Sequence, residues 1–383
     1  MNALPCYQIP DPLPWVVLAG PLAAAEDSLA RLDERLANSP IRDGFVARTH
    51  YIDACASLWL AGELVHLEDL VLHDAGMDVR SPTHELTRAH AVLRTRRRIA
   101  AAKPAWALSA AGLKTLRGRG GEEGRGNRKE AASVDLAEDA DAGVGHANVD
   151  ESRGITETDD RLAAAFAAVD AAIAKTDRAL TGETRRPRHR PEPDPLVYDL
   201  DWDEDERLAD WRSVVDQVRV LAPTLAAAIA ADAWIAIEPL QHTPWLGRLL
   251  AASVLRARGK ARWHLPCLHE GLKTIPRKRR RPGDAATRLA VQLEAITAAA
   301  AAGLKHHDRW LMARTLLARK LAGRRASSKL PALLDYVLTR PIASAGMIGA
   351  ELGITPRAAQ NLVAELGLRE ATGRGRYRAW GIL

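Results

Sequence analysis

The sequence predicts an all-α chain in which a helical body precedes a C-terminal unit of three short helices closed by a small β-hairpin. Three observations carry this. Apolar residues recur at helical spacing through most of residues 21–116 and 203–321, as in Leu29, Leu32 and Leu36, with no strand-like alternation of useful length. Prolines and glycines punctuate these runs where helices should stop. Near the C-terminus the periodic runs shorten and end in Thr372-Gly373-Arg374-Gly375, a hairpin signature.

The first domain is read as 1–116. Pro40, the Asp74-Ala75-Gly76 turn, Pro82 and Pro104 divide it into about five helices from Pro21 onward. Leu60, Leu64, Leu67 and Val71 read as one apolar face of a single helix. Glu63, His66, Asp69 and His73 then lie opposite, at a spacing that can ligate metals. A di-metal bundle needs a second such motif, and His84-Glu85 with His90 does not supply it, so this series is read as a solvated face and no metal is expected.

Residues 117–161 are rich in Gly, Asp, Glu and Ser and nearly free of large apolar side chains, which predicts a disordered acidic linker. The third segment is 162–326. It opens with a helix over about 162–180, followed by a Pro/Arg-rich linker at 181–195. Helical periodicity resumes near Asp203 and runs through Trp211, Val214, Val218 and Leu221, then over 225–237 and 246–257, with Pro223, Pro244 and Pro266 as breaks. The block RKRRR at 277–281, bracketed by Pro276 and Pro282, reads as a solvated loop. Two helices are expected after it, over about 284–302 and 305–321, the second carrying Arg309, Arg314, Arg319 and Lys320. Residues 327–383 form the last unit.

Composition bounds the function. The chain has 383 residues, 47% apolar, and a formal charge of +6, enough for real cores and too long for one small domain. Ten lysines against 44 arginines favour the side chain suited to bidentate phosphate contacts, although a GC-rich genome writes the same bias. No run approaches a membrane span, and the N-terminus has no basic residue before its apolar stretch, so a cytoplasmic location is expected. Cys6, Cys55 and Cys267 are odd in number and far apart, which predicts reduced thiols. No Gly-rich phosphate loop or GxSxG elbow occurs, and no cofactor is expected. Ten tryptophans stand against two phenylalanines; Trp59, Trp211, Trp234, Trp245, Trp263 and Trp310 sit at apolar helical positions and are assigned to the core.

The strongest pattern is C-terminal. Leu333, Leu334 and Val337 form one face of a helix that ends at Arg340-Pro341. Ser344 can cap a second helix burying Ala345, Ile348 and Leu352, and Gly353 supplies the turn. Thr355 is an N-cap oxygen and Pro356 sits at the first helical position, where a missing N–H costs nothing. A third helix buries Ala359, Leu362, Val363 and Leu366 and stops at Gly367. Thr355, Arg357, Ala358, Gln360, Asn361 and Ala364 face outward. Gln and Asn can pair with an adenine edge and Arg with a guanine edge, while short side chains admit the helix to a major groove. Arg374, Arg376 and Arg378 lie in or beside the hairpin. The segment resembles the winged helix-turn-helix domains of bacterial DNA-binding proteins. That resemblance implies base reading by Arg357, Gln360 and Asn361 and phosphate positioning by Thr355, Arg374, Arg376 and Arg378.

A second resemblance covers the body. Around residues 222–276, TLAAAIAADAWIAIEPLQHTPWLGRLL and LRARGKARWHLPCLHE resemble the active-site region of the Fic family, and ASLWLAGELVHLEDLVL from Ala56 resembles its N-terminal stretch. Members of that family transfer a nucleotide moiety to a protein hydroxyl. The departures matter: Ile237 or Glu238 stands where the family has its catalytic histidine, Gln241 replaces the acidic metal ligand, and His242, Thr243, Pro244 and Trp245 replace the glycines of its anion nest. The family's regulatory glutamate is Ala61 here. A degenerate body without transferase chemistry is therefore expected. As a whole, the chain also resembles an uncharacterised bacterial family in which an all-helical domain of unknown function precedes a helix-turn-helix.

These readings converge on a sequence-specific DNA-binding protein, a transcriptional regulator that is not an enzyme. It would recognise double-stranded DNA as a homodimer joined through the body. Two alternatives stay open: a divergent nucleotidyl or phosphoryl transferase using Glu238 or His242, and a protein-interaction module without a DNA partner.

Overall fold

The computed structural model describes residues 7–77, 81–117, 202–321, 328–372 and 378–382. The expected linkers and the helix over 162–180 lie outside these residues, apart from Arg117 at the edge of the first. Helices through residue 117 and everything described from Asp203 onward belong to one compact unit.

The N-terminal part is built from α1 (Trp15–Ala37), α2 (Arg42–Leu60), α3 (Leu67–Asp74), α4 (His84–Ala101) and α5 (Ala110–Leu116). Helix α1 starts before the expected Pro21 and contains it, because fully buried Leu18 anchors the first turns against the core. The expected continuous face from Leu60 to Val71 is broken. Gly62 takes φ +89°, α2 ends at Leu60 and α3 begins only at Leu67, so Leu64 is left exposed. Glu63 and His66 accordingly leave the helix. Glu63 pairs with Arg88, and His73 packs edge-on to His90 with ring centroids 4.7 Å apart. Among the described residues no group of His, Cys, Asp and Glu could hold a metal ion.

Beyond Asp203, whose carboxylate accepts from the Asp205 and Glu206 amides, come α6 (Glu204–Gln217), α7 (Pro223–Ile237), α8 (Leu246–Ala257) and α9 (Leu268–Thr274). The alanine-rich α7 is apolar on nearly every side and is buried accordingly. Trp211 meets Trp234 edge-on at 5.3 Å and donates its Nε1–H to the Ala230 carbonyl at 2.9 Å.

The two helices expected over 284–302 and 305–321 are one. Helix α10 (Ala285–Arg319) runs 35 residues, about 50 Å, capped by Asp284 through the Thr287 amide. Gly303 does not stop it. A Cβ there would come within 2.7 Å of Leu32 Cδ2, so the glycine serves the close approach of α1 to α10. Helix α10 packs against α1, α2, α7 and α9 and makes the spine of the unit.

Trp211, Trp234 and Trp310 are buried as expected, but Trp59 and Trp263 are 38% and 39% exposed. Each is flanked by cations rather than by core: Lys273 and Arg280 lie over Trp59, Arg42 and Arg262 over Trp263. Cys267 is buried and Cys55 half-buried, both as free thiols.

The C-terminal unit comprises α11 (Leu330–Leu338), β1 (Ala343–Ser344), α12 (Ala345–Leu352), α13 (Pro356–Leu366), β2 (Arg369–Glu370) and β3 (Ala379–Gly381). Its three-stranded sheet has the order β1-β3-β2, both pairings antiparallel. The fold is thus all-α with a winged helix-turn-helix at its end.

Candidate DNA-binding surface

Local chemistry sets the recognition helix. The Ser344 hydroxyl accepts from the Met347 amide at 3.2 Å and starts α12. Gly353, at φ +62°, ends it in the left-handed conformation that glycine adopts without strain. The Thr355 hydroxyl then accepts from the Ala358 amide at 3.2 Å, and Pro356 opens α13. Ala359, Val363 and Leu366 turn inward and are buried, while Leu362 is half-buried. The hydrophobic stripe therefore fixes which face is presented.

On that presented face Thr355, Arg357, Gln360, Asn361 and Ala364 are exposed and Ala358 is half-buried, as the spacing requires. All four polar candidates of this helix are thus exposed. The wing residues fare differently. Arg374 and Arg376 lie outside the described residues. Arg378 is engaged within the hairpin, its Nε 2.8 Å from Glu370 Oε2 and its guanidinium over Trp380.

Sequence reasoning missed how this unit is held. Arg48 of α2 is buried and donates to three carbonyls of the C-terminal unit: Val337 at 3.1 Å, Arg340 at 2.6 Å and Ile382 at 2.8 Å. Its guanidinium also lies 4.6 Å from the centre of the Trp310 ring, against which His306 stacks. Burial, with the charge of Arg309 beside it, brings the Arg48 pKa down to about 9, which leaves it charged at neutral pH. From α10, Lys320 Nζ donates to the Leu366 carbonyl at 2.9 Å, placing a cation on the negative end of α13. The signal for Arg48 was a lone arginine inside the apolar run of α2; its partners lie about 300 residues on and leave no local trace.

The residues that the sequence sets against the Fic motif lie at the end of α7 and in the loop that follows it. Ile237 is buried, and Glu238 is exposed in a left-handed conformation with φ 48°. His242 is exposed and Gln241 half-buried, each engaged by a neighbour.

Comparison with known proteins decides the family. Residues 196–322 match a family described as a protein of unknown function, DUF1612, and residues 330–383 match an HTH DNA binding domain. The uncharacterized protein y4cF of Sinorhizobium fredii (strain NBRC 101917 / NGR234) is 50% identical over 376 residues, covering 96% of this chain and 97% of the relative. The chain belongs to this family of DUF1612 proteins with a C-terminal helix-turn-helix. Its DNA-binding domain comprises α11 to β3, and the DUF1612 match covers α6 to α10. Among the described residues no helix is long and apolar enough to cross a membrane.

Proposed function

We propose that this DUF1612 protein is a cytoplasmic, sequence-specific transcriptional regulator that reads the major groove with Arg357, Gln360 and Asn361 and positions phosphates with Thr355 and the wing arginines 374, 376 and 378. The observation that carries the reading is the outward face of α13, where three groups able to pair with base edges stand among short neighbours. Ala358 and Ala364 keep the middle of that face low, so the helix can enter the groove closely.

The body serves dimerisation or sensing in this reading. Ile237 or Glu238 stands where the Fic motif has its histidine and Gln241 where it has an acidic metal ligand, and Pro244 contributes no N–H where an anion nest would need one. A single small domain makes few base contacts, so a homodimer on an inverted repeat is the arrangement that supplies affinity.

Genome-wide DNA capture by the full chain, compared with a variant carrying Arg357→Ala, Gln360→Ala and Asn361→Ala, tests the proposal. An enriched motif that the triple variant loses supports it. Gln360→Ala alone is expected to cost about 1–3 kcal/mol on the preferred sequence and little on others. Equal loss on all sequences would remove Gln360 from base reading.

A further inference from the structure

A second basic surface lies on the body. Residues 273–281 read KTIPRKRRR and place six cations between the start of the segment and Asp284, which caps α10. Among the described residues only Arg279 has a carboxylate partner there, Glu294 at 2.9 Å. Arg277, Lys278 and Arg281 are exposed and make no ion pair with any described residue.

The arrangement is built rather than diffuse. Trp59, exposed on the last turn of α2, carries Lys273 at 5.2 Å and Arg280 at 4.7 Å from its ring centre. Arg280 is further fixed by donating to the Ile275 carbonyl at 2.7 Å and the Lys273 carbonyl at 3.2 Å. Beneath them, Arg248 of α8 has a buried Nε with no hydrogen-bond partner among the described residues. Burial, against which Asp53 pulls upward, and then the charges of Arg281 and Arg280 bring Arg248 down to about 10. Asp53 is already bound to Arg96 and His269. Arg279 apart, the guanidinium groups gathered here form no ion pair with a carboxylate of the described residues, and such a surface is complementary to a polyanion.

We propose that Lys273, Arg277, Lys278, Arg280 and Arg281, arranged around Trp59, bind the backbone phosphates of duplex DNA as a second contact beside the recognition helix. The choice of duplex DNA rests on the reading of the helix-turn-helix given above. Geometry favours it further: α2 carries both Arg48, which holds the DNA-binding domain, and Trp59, eleven residues or about 16 Å along the same helix. A duplex presents a phosphate charge about every 1.7 Å of its axis, so DNA extending past the recognition site meets closely spaced partners for these side chains. The contacts are to phosphates and add affinity without sequence preference.

The experiment uses the full chain with Arg277→Ser, Lys278→Ser and Arg281→Ser together, three exposed side chains whose removal breaks no contact in the fold. Binding is measured against salt on a duplex covering the captured motif and on one extended by roughly 20 base pairs, about two helical turns, at each side. On the long duplex the log–log salt slope is expected to fall by about 2–3 and affinity near 0.15 M salt by about tenfold or more, with motif preference unchanged. On the short duplex the variant should match the wild type. An unchanged slope on the long duplex overturns the proposal, as does a variant that keeps this slope while losing affinity for inorganic phosphate, which would assign the surface to a small anion. Failure of the helix-turn-helix reading is separately visible: the wild type then captures no motif, whereas a slope lowered by the triple serine variant on any long duplex still supports the surface.

Discussion

In the C-terminal unit each turn is closed by a neighbour a few positions away: Ser344 by the Met347 amide, Thr355 by the Ala358 amide, and α12 and α13 by Gly353 and Gly367 at positive φ. In the body, the contacts that decide the packing join distant residues. Asp53 meets Arg96 and His269, Asp33 meets Arg262, and Arg48 reaches Ile382. The two regions also differ in chemistry: all 12 histidines precede residue 308, and none lies in the DNA-binding domain. A small domain that must present one face needs its helix ends set locally, whereas a larger body can bury charges if each is met across the fold.

The largest effect should come from breaking one of those buried charge sets. Asp53 and Arg96 are fully buried with Oδ2 and Nη1 2.5 Å apart, and the same oxygen lies 2.8 Å from His269 Nδ1. Burial alone would raise the Asp53 pKa, but the Arg96 charge, then that of His269 and its hydrogen bond, hold it down at about 2. Asp53→Ala strands the Arg96 guanidinium and is expected to cost about 3–5 kcal/mol in urea melts of the full chain. A loss under about 1 kcal/mol would mean that the cluster relaxes and the contrast between the regions is shallower than the contacts indicate.

Acid should act on the body through its buried histidines. Burial lowers His264 from 6.5 to about 4 and, with Arg96 and Arg97 adding to it, His50 to about 3. Both stay neutral in the fold while the unfolded chain takes up protons. Their stabilisation is therefore whole above about pH 6.5 and is lost as pH falls from there through about 4 for His264, on the order of 3 kcal/mol for that residue. His264→Gln should flatten the dependence of stability on pH across this window. A slope equal to that of the wild type would place the acid sensitivity elsewhere.

Legibility in the sequence follows the same division. The caps, the Gly353 turn and the inward stripe of α13 could be read because each is a short-range rule, and so could α7 and α8, bounded by prolines. The two helices expected over 284–302 and 305–321 are one because Gly303, which falls between them, serves a close approach and not a break, and only the position of Leu32 decides between the two. The Glu63–His73 series failed for a related reason: Gly62 breaks the helix that its spacing assumed. Trp59 and Trp263 occupy apolar positions yet remain exposed, since cations from elsewhere in the chain cover part of each ring. The Arg48 dock and the surface around Trp59 depend on partners remote in sequence, which no periodicity announces.

The smallest expected effect separates two roles at one residue. Thr355 caps α13 through its hydroxyl and also stands exposed at the helix start, where a phosphate would lie. Thr355→Ala removes both and should destabilise the DNA-binding domain by about 1 kcal/mol. Thr355→Asp keeps a capping oxygen and adds a charge favourable to the helix dipole, so stability should be retained. The same carboxylate would repel a phosphate, so DNA affinity should fall for all sequences alike. If Thr355→Asp binds DNA as the wild type does, the threonine acts as a cap alone and the N-terminus of α13 lies away from the backbone.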